Sequence, residues 1–379
     1  MKREDYYGLI SEAKRVVIKV GTSTLTHPSG KLNIYQIEKL VRQIMDLSNE
    51  KERELLLVSS GAVGAGMGRL GLEEKPRTLP ARQAVAAVGQ GALLHFYEKL
   101  FAEYGQIVAQ LLLTRGDLAD RTRFINARNT LQELISRKIL PIINENDTVA
   151  VEEIKFGDND TLAALVAGLV DADLLILLTD TEGLYTADPR LDSSASLLSL
   201  VEEITPEITG LAGGSGTKMA TGGMATKVSA AKIAVNAGIP LLIANGKEKD
   251  ILRRIMDGEN LGTLFLPREV NPHSKKRWIA FGSEKNGALT VDFGARTALL
   301  ENGKSLLPSG VVSAEGKFSA GQVVAILDPE GKEFARGITN FSREEIDCIK
   351  GFQCKDIESV LGHKDFDEII HRDNMMIIL

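Results

Sequence analysis

The sequence predicts an α/β protein: a mainly parallel sheet covered by helices on both faces, followed by a small domain of short strands. Three observations carry this. From residue 14 onward, short β-branched or leucine-rich runs alternate with helix-length amphipathic segments, the pattern of strands joined through helices. The short runs are apolar on both faces, as strands buried from both sides must be. After about residue 266 the texture changes to short, turn-punctuated runs, which read as a separate β unit.

Taken in order, RVVIKV (15–20) is a strand, IYQIEKLVRQIMDL (34–47) a helix, ELLLVSS (54–60) a strand and RQAVAAVGQGALLHFYEKLFAEY (82–104) a helix. QIVAQLLLT (106–114), ILPIIN (139–144), DLLILLTD (173–180) and IPLLIAN (239–245) continue the strands. Between them, NARNTLQELISR (126–137), TLAALVAGLV (161–170) and MATKVSAAKIAVNAG (224–238) continue the helices. Ligands of such sheets collect at the carboxyl ends of the strands. LPREVNPHSKKRW (266–278), with two prolines and a basic cluster, breaks the pattern. The domain boundary is therefore placed within residues 266–285, with a large domain over 1–270, a small one over 285–365 and a tail over 366–379. In the small domain ALTVDFG, VVSAEG, QVVAILDPEG and FARGIT read as strands and SREEIDCIK as a helix.

Composition narrows the function. With 379 residues and 44% hydrophobic content, the chain can bury one large and one smaller core. Apolar runs break at charges such as Asp171 and Asp173, so none approaches the ~18 apolar residues of a membrane span. The N-terminus, MKREDYY, lacks the apolar region of a secretory signal, and a cytoplasmic protein is expected. Cys348 and Cys354 are the two cysteines, outside any C-x-x-C spacing, and the five histidines are scattered. Chemistry resting on imidazole, zinc or a disulfide framework is not expected. Of the net charge of −6, residues 281–379 account for −5, with 11 Lys+Arg against 16 Asp+Glu. That balance disfavours nucleic acid, although Lys275, Lys276 and Arg277 form a local basic patch.

Four polar or glycine-rich loops follow expected strands. In VIKVGTSTL, Lys19 ends a strand and Gly21, Thr22 and Ser23 form a turn whose bare amides can approach an anion. Alone, a strand-terminal lysine is more often solvated. In VSSGAVGAGMGRLG, Gly66 to Gly71 is a literal G-x-G-x-x-G. A dinucleotide site is rejected, because SSGAVGA intervenes between strand and motif and no acidic residue ends a second strand about 20 residues on. Ser59, Ser60 and Gly61 are the useful part, able to hold a small anionic substrate. In IINENDTVAVEEIKFGDND, residues Asn144, Asn146, Asp147, Asn159 and Asp160 crowd two turns. Helix capping explains Asp158 or Thr161; the remaining carboxylates and carboxamides would suit an amino acid, with Asp binding an ammonium or holding lysines. GLAGGSGTKMATGGMATK ends in Lys227 at a helix start, a polyphosphate cradle or else a linker. It is no P-loop, since G-x-x-x-x-G-K-[ST] is absent from the chain.

The strings VIKVGTSTL, VSSGAVGAG, INENDTVAVEEIKFGDNDTLAA, LLTDTEGLYTADPR and TGGMATK, with LLPSGV, GKFSAGQVV and HRDNM later, span nearly the whole chain. In them the chain resembles the amino acid kinase family, in its glutamate 5-kinase branch, with a C-terminal PUA domain. The resemblance implies a three-layer α/β/α sandwich and a compact β-barrel. It implies transfer of the γ-phosphoryl of ATP, with Mg²⁺, to the side-chain carboxylate of L-glutamate, the first step of proline biosynthesis. By the family's pattern Asp160 would orient Lys19 and Lys227, while Ser60, Asp147 and Asn159 would bind glutamate. Thr179 and Asp180 would contact the nucleotide, together with Lys19 and the segment Thr221, Gly222, Gly223, Met224, Ala225, Thr226 and Lys227. No protein ligand to a metal is assigned. Proline commonly acts as feedback inhibitor in this family, and its members are commonly dimers or tetramers, which implies a homo-oligomer. With the chain ending at Leu379, a separate glutamyl phosphate reductase is expected to take the product.

One departure from the family's pattern is GSGTKMATGGM, which carries a second lysine, Lys218, before the TGGM segment. The cradle role goes to Lys227, whose match through TGGMATK is closer. Two rival readings remain open from the sequence: another acyl-phosphate-forming kinase, acting on aspartate or N-acetylglutamate, and an RNA-binding protein working through the PUA-like tail.

Overall fold

Strand and helix alternate through the first part of the chain: β1 (Arg15–Val20), α1 (Thr22–Leu25), α2 (Ile34–Lys51), β2 (Glu54–Ser59), α3 (Ala62–Leu70), α4 (Leu79–Ala102) and β3 (Val108–Leu113). There follow α5 (Arg121–Ser136), β4 (Leu140–Glu145), α6 (Asn159–Val170), β5 (Leu174–Thr179), β6 (Leu200–Val201), α7 (Met224–Asn236), β7 (Leu241–Asn245) and β8 (Thr263–Phe265). The computed structural model describes residues 8, 10–27, 31–150, 159–189, 191–212, 223–267 and 287–377. Most of the expected boundary at 266–285 lies outside the described residues, as do Asp158, Lys218, Thr221, Gly222 and the basic patch Lys275, Lys276 and Arg277.

The eight strands form one sheet in the order β3-β4-β2-β1-β5-β7-β8-β6. Its pairings are parallel except between β7 and β8, so the mainly parallel α/β sheet read from the sequence is the one that forms. β1 lies at the centre, with Lys19 in register with Val58 of β2 and Leu177 of β5. The carboxyl ends of β1, β2, β4 and β5 therefore share one edge, where the polar loops emerge.

Side chains alternate along a strand, and that decides which face each residue serves. Val16, Ile18 and Val20 join a core with Ile37, Leu40 and Ile44 of α2 and Leu93, Tyr97 and Phe101 of α4. Val17 joins the opposite core, with Leu162, Val166 and Leu169 of α6 and Val228 and Ala231 of α7. Lys19 is two residues beyond Val17 and so projects to the face that α6 and α7 cover. Each leucine or valine fully buried here stabilises the fold by about 1.5–3 kcal/mol before chain entropy is subtracted.

The first glycine of the G-x-G-x-x-G string, Gly66, is a packing device. α3 and α4 cross at backbone distance: a Cβ on Gly66 would fall on the Val85 carbonyl, and one on Gly89 would fall on the Ala62 carbonyl. The motif's first glycine is thus required by helix–helix approach. α4 starts at Thr78, whose hydroxyl accepts from Ala81 N–H, with proline in the first turn.

The chain divides into two compact units, Met1–Val270 and Asn271–Leu379. The second contains β9 (Gly287–Val291), α8 (Phe293–Glu301), β10 (Val311–Gly316), β11 (Val323–Leu327), β12 (Glu333–Ile338), α9 (Arg343–Ile349) and β13 (Met375–Ile377). The strands pair in the order β10-β9-β11-β12-β13 around Leu289, Val324, Ile326, Phe334 and Phe341. Ser342 and Glu345 form a reciprocal capping box at the start of α9. The residues read as a tail include the edge strand β13, antiparallel to β12, and Ile370, which bridges to Leu306.

Candidate active site

Three charged side chains meet between β1, α6 and α7. Asp160, in the first turn of α6, is fully buried and forms an ion pair through Oδ1 with Lys19 Nζ. Its Oδ2 accepts from Lys227 Nζ at 3.1 Å, and the Thr226 hydroxyl lies 3.3 Å from the same oxygen. Lys19 and Lys227 are 4% and 5% exposed. Buried charges are tolerated only when paired. Among the described residues this cluster sets two ammonium groups against one carboxylate, beside the N-termini of α6 and α7, whose dipoles add positive potential. Such a site favours an anionic ligand, above all one whose charge grows during reaction.

A buried amide network adjoins this cluster. Asn159, the first residue of α6, donates through Nδ2 toward Ser59 O (3.1 Å), Ser60 Oγ (3.0 Å) and Asn144 Oδ1 (2.8 Å). Asn144, near the end of β4, donates to Gln90 Oε1 of α4 at 3.2 Å. Gln90 Nε2 donates to the Glu145 carbonyl, also at 3.2 Å. On the other side Tyr97 OH and Ser59 Oγ are 3.0 Å apart, and burial pushes the Tyr97 phenol well above the ordinary tyrosine range, an effect its bond to Ser59 only partly offsets. Ser60 N–H donates to Val20 O at 3.1 Å, tying β2's end to β1's. Gly61 follows with φ of 98°, a left-handed conformation that starts α3.

Residues 14–245 match the model of the amino acid kinase family, and residues 287–361 match that of the PUA domain. The chain belongs to the amino acid kinase family. It is 57% identical to the "Glutamate 5-kinase" of Moorella thermoacetica, over 97% of each chain. It is also 57% identical to that of Caldanaerobacter subterraneus, over 96% of this chain and 98% of the relative. Against that of Carboxydothermus hydrogenoformans the identity is 54%, over 98% and 99%.

Within this amino acid kinase, the residues expected at the site fall into distinct groups. Lys19, Asp160 and Lys227 converge, as do Ser60 and Asn159. Asp147 stands half-buried in the turn after β4. Thr179 is buried at the end of β5, its hydroxyl 3.1 Å from Asp180 Oδ1 and its carbonyl accepting from Gly246 N–H at 2.8 Å. Gly223 caps α7, Met224 and Ala225 begin it, and Thr226 turns its hydroxyl to Gly223 O at 2.7 Å as well as to Asp160. Thr221 and Gly222 lie outside the described residues.

Gln90 and Tyr97 are not among the residues that the sequence alone marks for the site. They sit inside a helix that is apolar nearly all round, where a glutamine or tyrosine gives no motif. A retrospective signal exists: the two are seven residues apart, which places them on one face of a helix.

Proposed function

We propose that the protein transfers the γ-phosphoryl group of ATP to the side-chain carboxylate of L-glutamate, yielding L-glutamyl 5-phosphate and ADP, the first step of proline biosynthesis. The observation that carries the mechanism is the pairing of Lys19 and Lys227 with the two oxygens of one buried carboxylate, Asp160. Phosphoryl transfer depends mainly on positioning and on neutralising charge over the transferred group. A glutamate side chain, with a pKa of about 4.3, is ionised at neutral pH and needs no general base. Its oxygen attacks the γ-phosphorus, the bond to the β–γ bridging oxygen breaks, and ADP leaves with that electron pair. Lys19 and Lys227 stabilise the equatorial oxygens, and Asp160 holds the two ammonium groups in register.

In the same reading Ser60, Asn159 and Asp147 hold the amino acid, while Thr179, Asp180 and the 221–227 segment hold the nucleotide. Mg²⁺ belongs with ATP. Among the described residues no three His, Cys, Asp or Glu side chains gather, and Asp160 already serves two lysines. Mg²⁺ is commonly held by substrate phosphates and water with one or two carboxylates, so this donor set fits a metal carried on the nucleotide. Bound there, it adds positive charge to the phosphate oxygens. Proline as feedback inhibitor, a homo-oligomer, a cytoplasmic setting and a separate reductase complete the proposal. Among the described residues no helix is long and apolar enough to cross a membrane.

The test is ATP consumption with hydroxylamine present to trap the acyl phosphate. Hydroxamate is expected from L-glutamate, and not from N-acetylglutamate or L-aspartate. An N-acylated substrate would leave the Asp147 charge without its ammonium, a costly mismatch. Hydroxamate from N-acetylglutamate alone would overturn the assignment.

A further inference from the structure

We infer that Asn159 meets the substrate through its carboxamide oxygen, as acceptor for the α-ammonium, and that Gln90 acts from α4 as a positioning residue that holds it in that orientation. The inference rests on the assignment of Asn159 to the amino acid in the proposed function.

Which end of a carboxamide is which follows from its fixed neighbours. Ser59 offers Asn159 a backbone carbonyl, which only accepts, so the atom 3.1 Å away is the NH₂. Asn144 faces the Glu145 backbone N–H at 2.8 Å, which only donates, so that end of Asn144 is its oxygen. The NH₂ of Asn144 then points to Gln90 Oε1, and the NH₂ of Gln90 to the Glu145 carbonyl, again only an acceptor. Backbone groups of known sign pin the chain of amides at both ends. Gln90 itself is 6% exposed and is braced by Gln110 Nε2 at 3.4 Å.

The two hydrogens of the Asn159 NH₂ already face three acceptors: Ser59 O, Ser60 Oγ and Asn144 Oδ1. Nothing remains for a ligand carboxylate. Asn159 Oδ1 is buried, and among the described residues no group donates to it. A buried acceptor without a donor is costly, and a bound ligand that donates would remove that cost. L-Glutamate with both carboxylates ionised has one kind of donor, the α-ammonium. The carbonyl of Asn159 therefore reads the feature that separates an amino acid from a plain dicarboxylate.

The test compares L-glutamate with glutarate, the same carbon chain without the ammonium. Glutarate is scored as a competitive inhibitor, so the ratio of its Ki to the KM for glutamate is readable without turnover. Asn159→Ala is expected to lower that ratio by roughly tenfold or more, the weight of one hydrogen bond to a charged group. Asn159→Asp, which keeps an oxygen there, should preserve it. Gln90→Met should lower the ratio in the same direction with the KM for ATP unchanged. A folded Gln90→Met with the wild-type ratio overturns the role of Gln90. Loss of the ratio in Asn159→Asp overturns the oxygen assignment, and this variant carries the test if Gln90→Met does not fold. An Asn159→Ala protein with unchanged KM for glutamate would instead refute the underlying assignment of Asn159 to substrate.

Discussion

Lys227 and Lys19 share Asp160, one on each carboxylate oxygen, with Lys227 Nζ 3.1 Å from Oδ2. Lysines from a central strand and from a helix start are thereby set side by side. The carboxylate offsets the burial of both and holds their ammonium groups close together, where the proposed reaction would bring the phosphoryl group.

Lys19→Ala and Lys227→Ala should each lower kcat by about 10²-fold or more, as loss of other preorganised transition-state donors does. Asp160→Asn should be the less stable variant, because it removes the carboxylate that both buried ammonium groups share. Breaking a buried pair typically costs about 3–5 kcal/mol. Steady-state turnover and urea unfolding measure the two effects, and near-normal kcat in a folded lysine variant contradicts the mechanism.

At the α3–α4 crossing, Gly66→Ala and Gly89→Ala each insert a methyl group into a backbone carbonyl. Rigid backbone cannot yield as a flexible side chain would, so each should cost at least the 1–3 kcal/mol typical of an overpacked core. Gly91, with open space around it, is the control: Gly91→Ala on the same helix should be neutral or stabilising. Thermal melts of the three variants decide this, and equal melting temperatures would refute it.

Tyr97 titrates above its ordinary range because it is buried. Below about pH 10 the phenol is protonated in both folded and unfolded chains and contributes no pH dependence. Above that, the unfolded chain loses the proton while the folded one retains it, so stability falls as pH rises. Tyr97→Phe removes one hydrogen bond to Ser59 and should cost about 1 kcal/mol at pH 7. Its deficit relative to the native protein should shrink by pH 10.5. A constant difference between the two proteins at pH 7 and pH 10.5, measured by urea unfolding, would count against a buried phenol.

The strands and helices are legible because their signal is local: runs such as LLILL and LLLV are apolar at every position, and a strand covered on both sides accommodates that. The polar loops were legible for a related reason, since clustered carboxamides, carboxylates and glycines at strand ends exceed what capping needs. The G-x-G-x-x-G string was rejected as a nucleotide motif, but its steric purpose was invisible, because it depends on a second helix that passes Gly66 at backbone distance.

By itself the sequence determined which residues have the chemistry: lysines at 19 and 227, an aspartate at 160, carboxamides at 144 and 159. Only the tertiary structure decided which of these touch and which way each amide faces. Side-chain alternation on β1 turns Lys19 toward α6 and α7, and α4 brings Gln90 to Asn144 and Tyr97 to Ser59, both neighbours of Asn159. Those relations arise from packing between elements distant in the chain, and the direction of a hydrogen bond depends on the partner's identity, which local sequence does not record.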